Sequence, residues 1–205
     1  MPKIIDSGKY VATMPDMIRI ILDLNGVVQG RVQRRVVGFY MRELLGLRMT
    51  PAAALRLAWA IARKLPPDGF AEADKKHIRR FYESSRHITI GFLPGAKRAA
   101  QELLAKYPVH ICSANKYTDE TDRKYMDYLT AQLGNFEKIY FVPARGSKMD
   151  FYASMRARYP GDDIYVIDDS PRHIEDATKA GLIPVWINKK RGYKSLADAM
   201  QKLSL

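Results

Sequence analysis

The chain has 205 residues, of which 47% are hydrophobic and 27% charged, which is ordinary globular material with length enough for one substantial core and a smaller inserted domain. No stretch is apolar over the roughly 18 residues that a membrane span needs, and the opening residues lack a basic region leading into an apolar run, so neither a span nor a secretory signal is expected and a cytoplasmic location is. A single cysteine, Cys112, excludes an internal disulfide and a cysteine-cluster zinc site, while 34 Lys and Arg against 22 Asp and Glu leave a net charge of +12 that favours an anionic partner.

In chain order, MIRIILDL (17–24) is a short, β-branched-rich run that suits a strand buried on both faces. It leads into Asn25-Gly26, which has two readings. The pair is the strongest short-range hairpin signal, because both residues tolerate positive φ. It also leaves Asp23 at the carboxyl end of a strand, beside a glycine that lets backbone approach a ligand. A helical block follows. Residues 31–46, then TPAAALRLAWAIARKL with Thr50 as N-cap and Pro51 at the first helical position, read as two helices, and AEADKKHIRRFYESS (71–85) as a third. In the second, Leu55, Trp59 and Ala62 keep helical spacing, which fits either the inside of a packed helical subdomain or a dimer contact.

From FLPGAKRAAQELLAKYP (92–108) onward, helices and strands alternate. VHICS (109–113), KIYFV (138–142), DIYVIDD (163–169) and IPVWI (183–187) read as strands. Residues 118–134, KMDFYASMRARY (148–159), PRHIEDATKA (171–180) and the tail from Tyr193 read as helices. Such alternation implies parallel pairing through crossovers, hence a doubly wound α/β sheet interrupted after its first strand by an α-helical insertion.

Ligands of open parallel sheets bind beyond the carboxyl ends of the strands. Those ends carry Asp23, Ser113, and Asp168, Asp169 and Ser170, with Lys148 opening the helix before the DIYVIDD strand. Gathered carboxylates repel one another and raise each other's pKa, so a cation is expected among them, and an all-oxygen ligand set suits Mg²⁺. His77, His87, His110 and His173 have no metal-ligand spacing and read as surface or packing histidines. The basic residues are spread. Arg31, Arg34 and Arg35 follow the first strand, Arg79, Arg80 and Arg86 lie mid-chain, and Lys189, Lys190, Arg191 and Lys194 come near the end. They form either a solvated basic surface or a nucleic-acid face.

Asp-x-Asn-Gly-Val on a first strand, Ser on a second, Lys before a third and Asp-Asp-Ser at its end together resemble the four motifs of the haloacid dehalogenase (HAD) superfamily, whose members are mostly phosphatases. The likeness runs from residue 18 to about 190. It implies an HAD-like Rossmannoid core (1–28 and 93–205) with a helical cap (29–92). Asp23 would be the nucleophile that takes the phosphoryl group. Ser113, with the N–H groups of Ala114 and Asn115, would bind phosphoryl oxygens, and Lys148 would neutralise charge on nucleophile and phosphate. Asp23, Asp168, Asp169 and the main-chain carbonyl of Asn25 would hold Mg²⁺. Arg31 and Arg34 would face the anionic remainder of a phosphorylated small molecule or nucleotide. The expected assembly is a monomer or homodimer, with nucleic acid as a further candidate partner and no membrane.

Each assignment has a plainer rival. Ser113 suits an N-cap, Lys148 a solvated helix start, and Asp168-Asp169-Ser170-Pro171 a turn with a helix cap. One position departs from the resemblance, because these phosphatases usually carry Asp-x-Asp. The second Asp works as general acid and then general base, and an amide at Asn25 cannot shuttle that proton. General acid–base catalysis contributes about 10²–10⁴-fold. The chain is thus expected to favour substrates with good leaving groups, to release its aspartyl-phosphate slowly, or to be a phosphate-binding relative without turnover that acts through protein or nucleic-acid contacts.

Overall fold

The structure, a computed structural model, describes residues 17–30, 41, 50–62, 91–116, 119–143 and 146–205. Five strands form one parallel sheet: β1 (Ile18–Leu22), β2 (Val109–Lys116), β3 (Lys138–Pro143), β4 (Asp163–Asp168) and β5 (Ile183–Trp186), in the order β3-β2-β1-β4-β5. The described helices are α1 (Pro51–Ala62), α2 (Ala96–Lys106), α3 (Asp119–Leu133), α4 (Met149–Arg158), α5 (Pro171–Lys179) and α6 (Leu196–Leu203).

Alternation along β1 explains why its run is apolar throughout. Ile20 and Leu22 point into one core with Ile111, Leu103, Leu129 and Met200, which come from β2, α2, α3 and α6. Ile21 points into the other with Cys112, Phe151, Tyr152, Val166 and Ala177, from β2, α4, β4 and α5. With helices on both faces, neither side of the central strand meets water. The chain builds outward from β1 through β2 to β3, then crosses to the other side of β1 for β4 and β5. The reversal puts a crevice at the carboxyl ends of β1 and its two neighbours.

Asn25-Gly26 is not a hairpin tip, since β1 pairs only with parallel neighbours, β2 and β4. A tight loop follows instead, in which Gly26 sits at φ +84 and donates its N–H to the Gln29 carbonyl (2.7 Å). The segment after β1 leaves and returns at one place. Gln29 bridges antiparallel to Phe92, and Leu93 N–H reaches the Val28 carbonyl at 2.9 Å. Buried Gln29 also accepts the Tyr125 hydroxyl, which ties this root to α3.

Helix α1 begins as its sequence dictates, with Pro51 first and Thr50 Oγ1 accepting the Ala53 N–H at 3.4 Å. Its inward face is not the stripe of Leu55 and Trp59, whose other expected role is a contact between copies. Ala54, Leu57 and Ala58 are fully buried, whereas Leu55 and Trp59 are 44% and 40% exposed. Both stripes have helical spacing, and the alanine-rich one lets a neighbouring surface come closer. The expected helices at 31–46 and 71–85 lie outside the described residues. Strand β2 runs three residues past its expected end, because pairing with β3 resumes beyond an irregularity at Lys116–Pro143. The last helix starts at Leu196, capped by Ser195 Oγ on the Asp198 N–H, because Tyr193 is held back against the end of β5. Among the described residues no helix is long and apolar enough to cross a membrane.

Candidate active site

Asp23 follows β1 directly, and its N–H is fixed by the Ile167 carbonyl of β4 at 2.9 Å. Asp168 ends β4, and Lys148 occupies the N-cap position of α4, where a side chain can turn back over the sheet. The three meet. Lys148 Nζ donates to Asp23 Oδ1 and to Asp168 Oδ2, each at 2.7 Å, with the lysine wholly buried and the acids 7% and 1% exposed. Asp169 adds a third carboxylate, and one oxygen from each of Asp23, Asp168 and Asp169 lies within 4.8 Å of the others.

Asp168 is pinned at both oxygens. Oδ1 accepts the Ser170 N–H at 2.8 Å, while Oδ2 faces Lys148 and, at 3.2 Å, His173 Nδ1. Ser170 thus starts α5 without capping it through its own side chain, and Pro171 follows in the first turn. Asp169 is steadied from the backbone, since the Trp186 indole N–H donates to its carbonyl at 3.2 Å.

Electrostatics separates the two buried acids. Burial pushes the Asp23 carboxyl up to about 6, with Asp168 adding to the rise and Lys148 opposing it. Burial works the same way on Asp168, but the hydrogen bond from His173 and the charge of Lys148 outweigh it and hold this carboxyl below its usual range. Lys148 is desolvated too, yet the two acids raise its pKa and keep it an ammonium. Three carboxylates around one ammonium leave an excess of negative charge in a place with little water, and a divalent cation is what such a donor set is suited to hold.

Gly26 shows how closely the loop approaches these acids. A Cβ there would stand 2.0 Å from Asp169 Oδ2, so the loop reaches the carboxylate only because the residue is glycine. Asn25 is half-buried, and among the described residues its carbonyl accepts no hydrogen bond. Ser113 lies on β2 two residues beyond Ile111, the partner of Leu22, and its fully buried hydroxyl has no partner among the described residues. Ala114 packs into the second core, and Asn115 follows on the same strand. Arg31, Arg34 and Arg35 lie outside the described residues.

Contacts therefore join Asp23, Lys148 and Asp168 directly, with the Asp169 carboxylate within 4.8 Å of the other two acids, while Ser113, Ala114 and Asn115 are placed on the adjoining strand. Two participants escaped the sequence reading. His173, taken as a surface or packing residue, is buried against Asp168. Its signal was present in sequence, because a residue in the first turn of α5 lies above the strand end that precedes it. Trp186 read only as part of a strand, and nothing local in sequence marked its bond to Asp169.

The sheet order and the acids at its strand ends define an α/β protein with the HAD-like fold. No protein-family model matches the chain, and no curated protein is similar enough in sequence to match it. Solved structures do match. An HAD-like family hydrolase from Streptococcus pneumoniae is 18% identical, with a TM-score of 0.54 over 90% of this chain and 90% of its own. The HAD-hydrolase YfnB from Bacillus subtilis, described as bound to magnesium, is 13% identical, with a TM-score of 0.57 over 92% of this chain and 99% of its own. An HAD-like hydrolase from Burkholderia xenovorans is 18% identical, with a TM-score of 0.57 over 93% of this chain and 89% of its own. The fold of this chain is the one these hydrolases share.

Proposed function

We propose that the chain is a Mg²⁺-dependent phosphoric monoester hydrolase of the HAD type, acting through an aspartyl-phosphate on Asp23. The observation that carries this reading is the fully buried Lys148 ammonium bridging Asp23 and Asp168 with a third acid alongside. A purely structural ion pair has no need of excess acid. The magnesium that YfnB is described as binding supports the same reading.

Asp23, Asp168, Asp169 and the Asn25 carbonyl would hold Mg²⁺, which supplies positive charge against the phosphoryl oxygens. Lys148 takes up Asp23 Oδ1 and leaves Oδ2 for attack on phosphorus. As the Oδ–P bond forms, the bond to the leaving oxygen breaks, and the Ser113 hydroxyl and the N–H groups after it bind the transferring oxygens. Water then attacks phosphorus, the Oδ–P bond breaks to restore the Asp23 carboxylate, phosphate leaves, and the water's proton passes to solvent. Catalysis of this kind is positioning and charge stabilisation. The leaving oxygen takes its proton from solvent, because Asn25 has none to give. Phosphorylated small molecules or nucleotides with good leaving groups are the favoured substrates. The segment 29–92 serves as a cap over the crevice, and the protein works in the cytoplasm as a monomer or homodimer.

Asn25 also favours a second reading, a phosphate-binding relative without turnover. Stopped-flow release of nitrophenol from p-nitrophenyl phosphate with Mg²⁺ separates the two. The expected result is a burst and slow steady phase in the wild type, none in Asp23→Asn, and a steady rate about 10²–10⁴-fold higher in Asn25→Asp. Turnover in Asn25→Asp alone establishes the second reading. Silence in all three, or release that survives Asp23→Asn, overturns the hydrolase.

A further inference from the structure

The loop after β5 leaves the sheet beside the acids and carries charge that the fold does not use. Trp186, the last residue of β5, stands opposite Asp168 and holds the Asp169 carbonyl. The chain then closes on itself. Asn188 Oδ1 accepts the N–H groups of Lys190 and Arg191 at 2.9 and 3.1 Å, Gly192 N–H reaches the Asn188 carbonyl at 2.9 Å, and Tyr193 N–H returns to the Trp186 carbonyl at 2.9 Å. A Cβ at Gly192 would lie 2.2 Å from that carbonyl oxygen, so glycine is needed for the turn to close. The tip consists of Lys189, Lys190 and Arg191, all exposed. Among the described residues no carboxylate pairs with their side chains.

Consecutive cations on a closed turn repel one another and add nothing to the turn itself. Their place explains them better. Lys189 is three residues past Trp186 and so within about 10 Å of it. A nucleic-acid strand carries one charge per about 3.4 Å of helix axis, and more widely spaced charges when extended. The loop tip follows β5, two strands from β1 at the same end of the sheet, so with one phosphate in the Asp23 crevice it is within reach of the next few along a strand. Asp23 is nearly closed off, so a slender strand end suits its approach better than the two-stranded end of a duplex.

We infer that this loop docks the backbone of a single-stranded nucleic acid whose terminal phosphate monoester enters the Asp23 crevice. The inference rests on the phosphoryl-transfer reading for the terminal group. The net charge of +12 makes such a strand a natural partner, and the loop assigns that attraction to a place.

The test is fluorescence anisotropy of a labelled short oligodeoxynucleotide with Mg²⁺, ending in a 3′-phosphate, a 5′-phosphate or hydroxyls only. Asp23→Asn serves as background so that no strand is consumed. Into it go Lys189→Gln, Lys190→Gln and Arg191→Gln together or, as a control of equal charge, Lys106→Gln, Lys138→Gln and Arg158→Gln, exposed residues at the opposite end of the sheet. The expected result is tighter binding of one phosphorylated end, and about tenfold weaker binding for the loop variant. Its dependence of log K on log salt should be shallower by about 2, as for three lost phosphate contacts, with the control unchanged. No binding at about 50 mM salt, equal losses in both variants, or indifference to the terminal phosphate would each overturn the inference. Binding as expected, with p-nitrophenyl phosphate inert in the wild type and in Asn25→Asp, would remove the hydrolase and leave the docking loop standing.

Discussion

At the end of the sheet where the strands begin, Arg19 Nε pairs with Asp162 Oδ2, and the guanidinium lies 3.6 Å from the centre of the Tyr159 ring. Arg156 finishes that corner by donating to the carbonyls of Tyr159, Pro160 and Asp162 at 3.1 to 3.2 Å. There Arg19 meets one acid, while Arg156 gives one guanidinium nitrogen to backbone carbonyls and, among the described residues, keeps its buried Nε without a partner. At the end where the strands finish, one ammonium meets two carboxylates and a third stands beside them. Both ends hold charge, but only the end where the strands finish gathers a surplus of acid. A balanced pair stabilises a corner of the fold, whereas the unbalanced group has a surplus of oxygen donors and gains by taking a cation from outside.

Removing the cation at each end should give the widest separation. Lys148→Met strips two buried carboxylates of their partner and is expected to cost about 3–5 kcal/mol. Arg19→Met strips one buried carboxylate, Asp162, of its partner and should cost about 1–3 kcal/mol. Urea denaturation reads both. Addition of Mg²⁺ should recover part of the loss in Lys148→Met and none in Arg19→Met. Equal costs, or a magnesium effect at both ends, would break the distinction.

The two ends also respond to pH with opposite signs. Burial raises the Asp23 carboxyl from 3.8 to about 6, so the folded state keeps a proton that the unfolded chain gives up. Stability from this group is full at low pH and is lost as pH rises from about 4 to about 6. His110, on β2 near the strand starts, has both ring nitrogens buried without a partner among the described residues, and burial lowers it from 6.5 to about 4. Its contribution is present above about pH 6.5 and is lost as pH falls toward 4. In EDTA, Asp23→Asn should therefore gain on the wild type with rising pH, and His110→Phe with falling pH, each by on the order of 2–3 kcal/mol across its window. Denaturation midpoints from pH 4 to 8 read the two slopes, and slopes of the same sign would contradict these environments.

How much of this was legible in sequence depended on whether the cause was local. The β1 run, the Thr50-Pro51 start of α1 and the helix–strand alternation are set by neighbours in the chain, and each appeared close to where it was expected. Strand ends also mark where side chains gather, which is why Asp23, Lys148, Asp168 and Asp169 could be named together. Which of two helical stripes turns inward on α1 is decided by tertiary contact, and the spacing of Leu55 and Trp59 leaves an inner face and an outward contact face open. The bonds from His173 to Asp168 and from Trp186 to Asp169 depend on how an adjacent helix and strand are laid down, which spacing alone does not convey.

The smallest of these effects makes the finest distinction, because it holds backbone strain constant. Gly26 and Gly181 both sit at positive φ, +84 and +69. The first lies in the loop after β1, the second between α5 and β5 at the other end of the sheet. Alanine at either position takes on a left-handed backbone and should cost roughly 1–2 kcal/mol. Around Gly181 a Cβ meets nothing within 4 Å, whereas at Gly26 it would collide with the Asp169 carboxylate at 2.0 Å. That short side chain can give way only by swinging its oxygens off the position they share with Asp23 and Asp168. Gly26→Ala should therefore weaken Mg²⁺ binding by about 10–100-fold, the range for displaced support around a metal, while Gly181→Ala binds as the wild type does. Isothermal titration with Mg²⁺ measures both, and equal affinities in the two variants would mean that Asp169 takes no part in holding the ion.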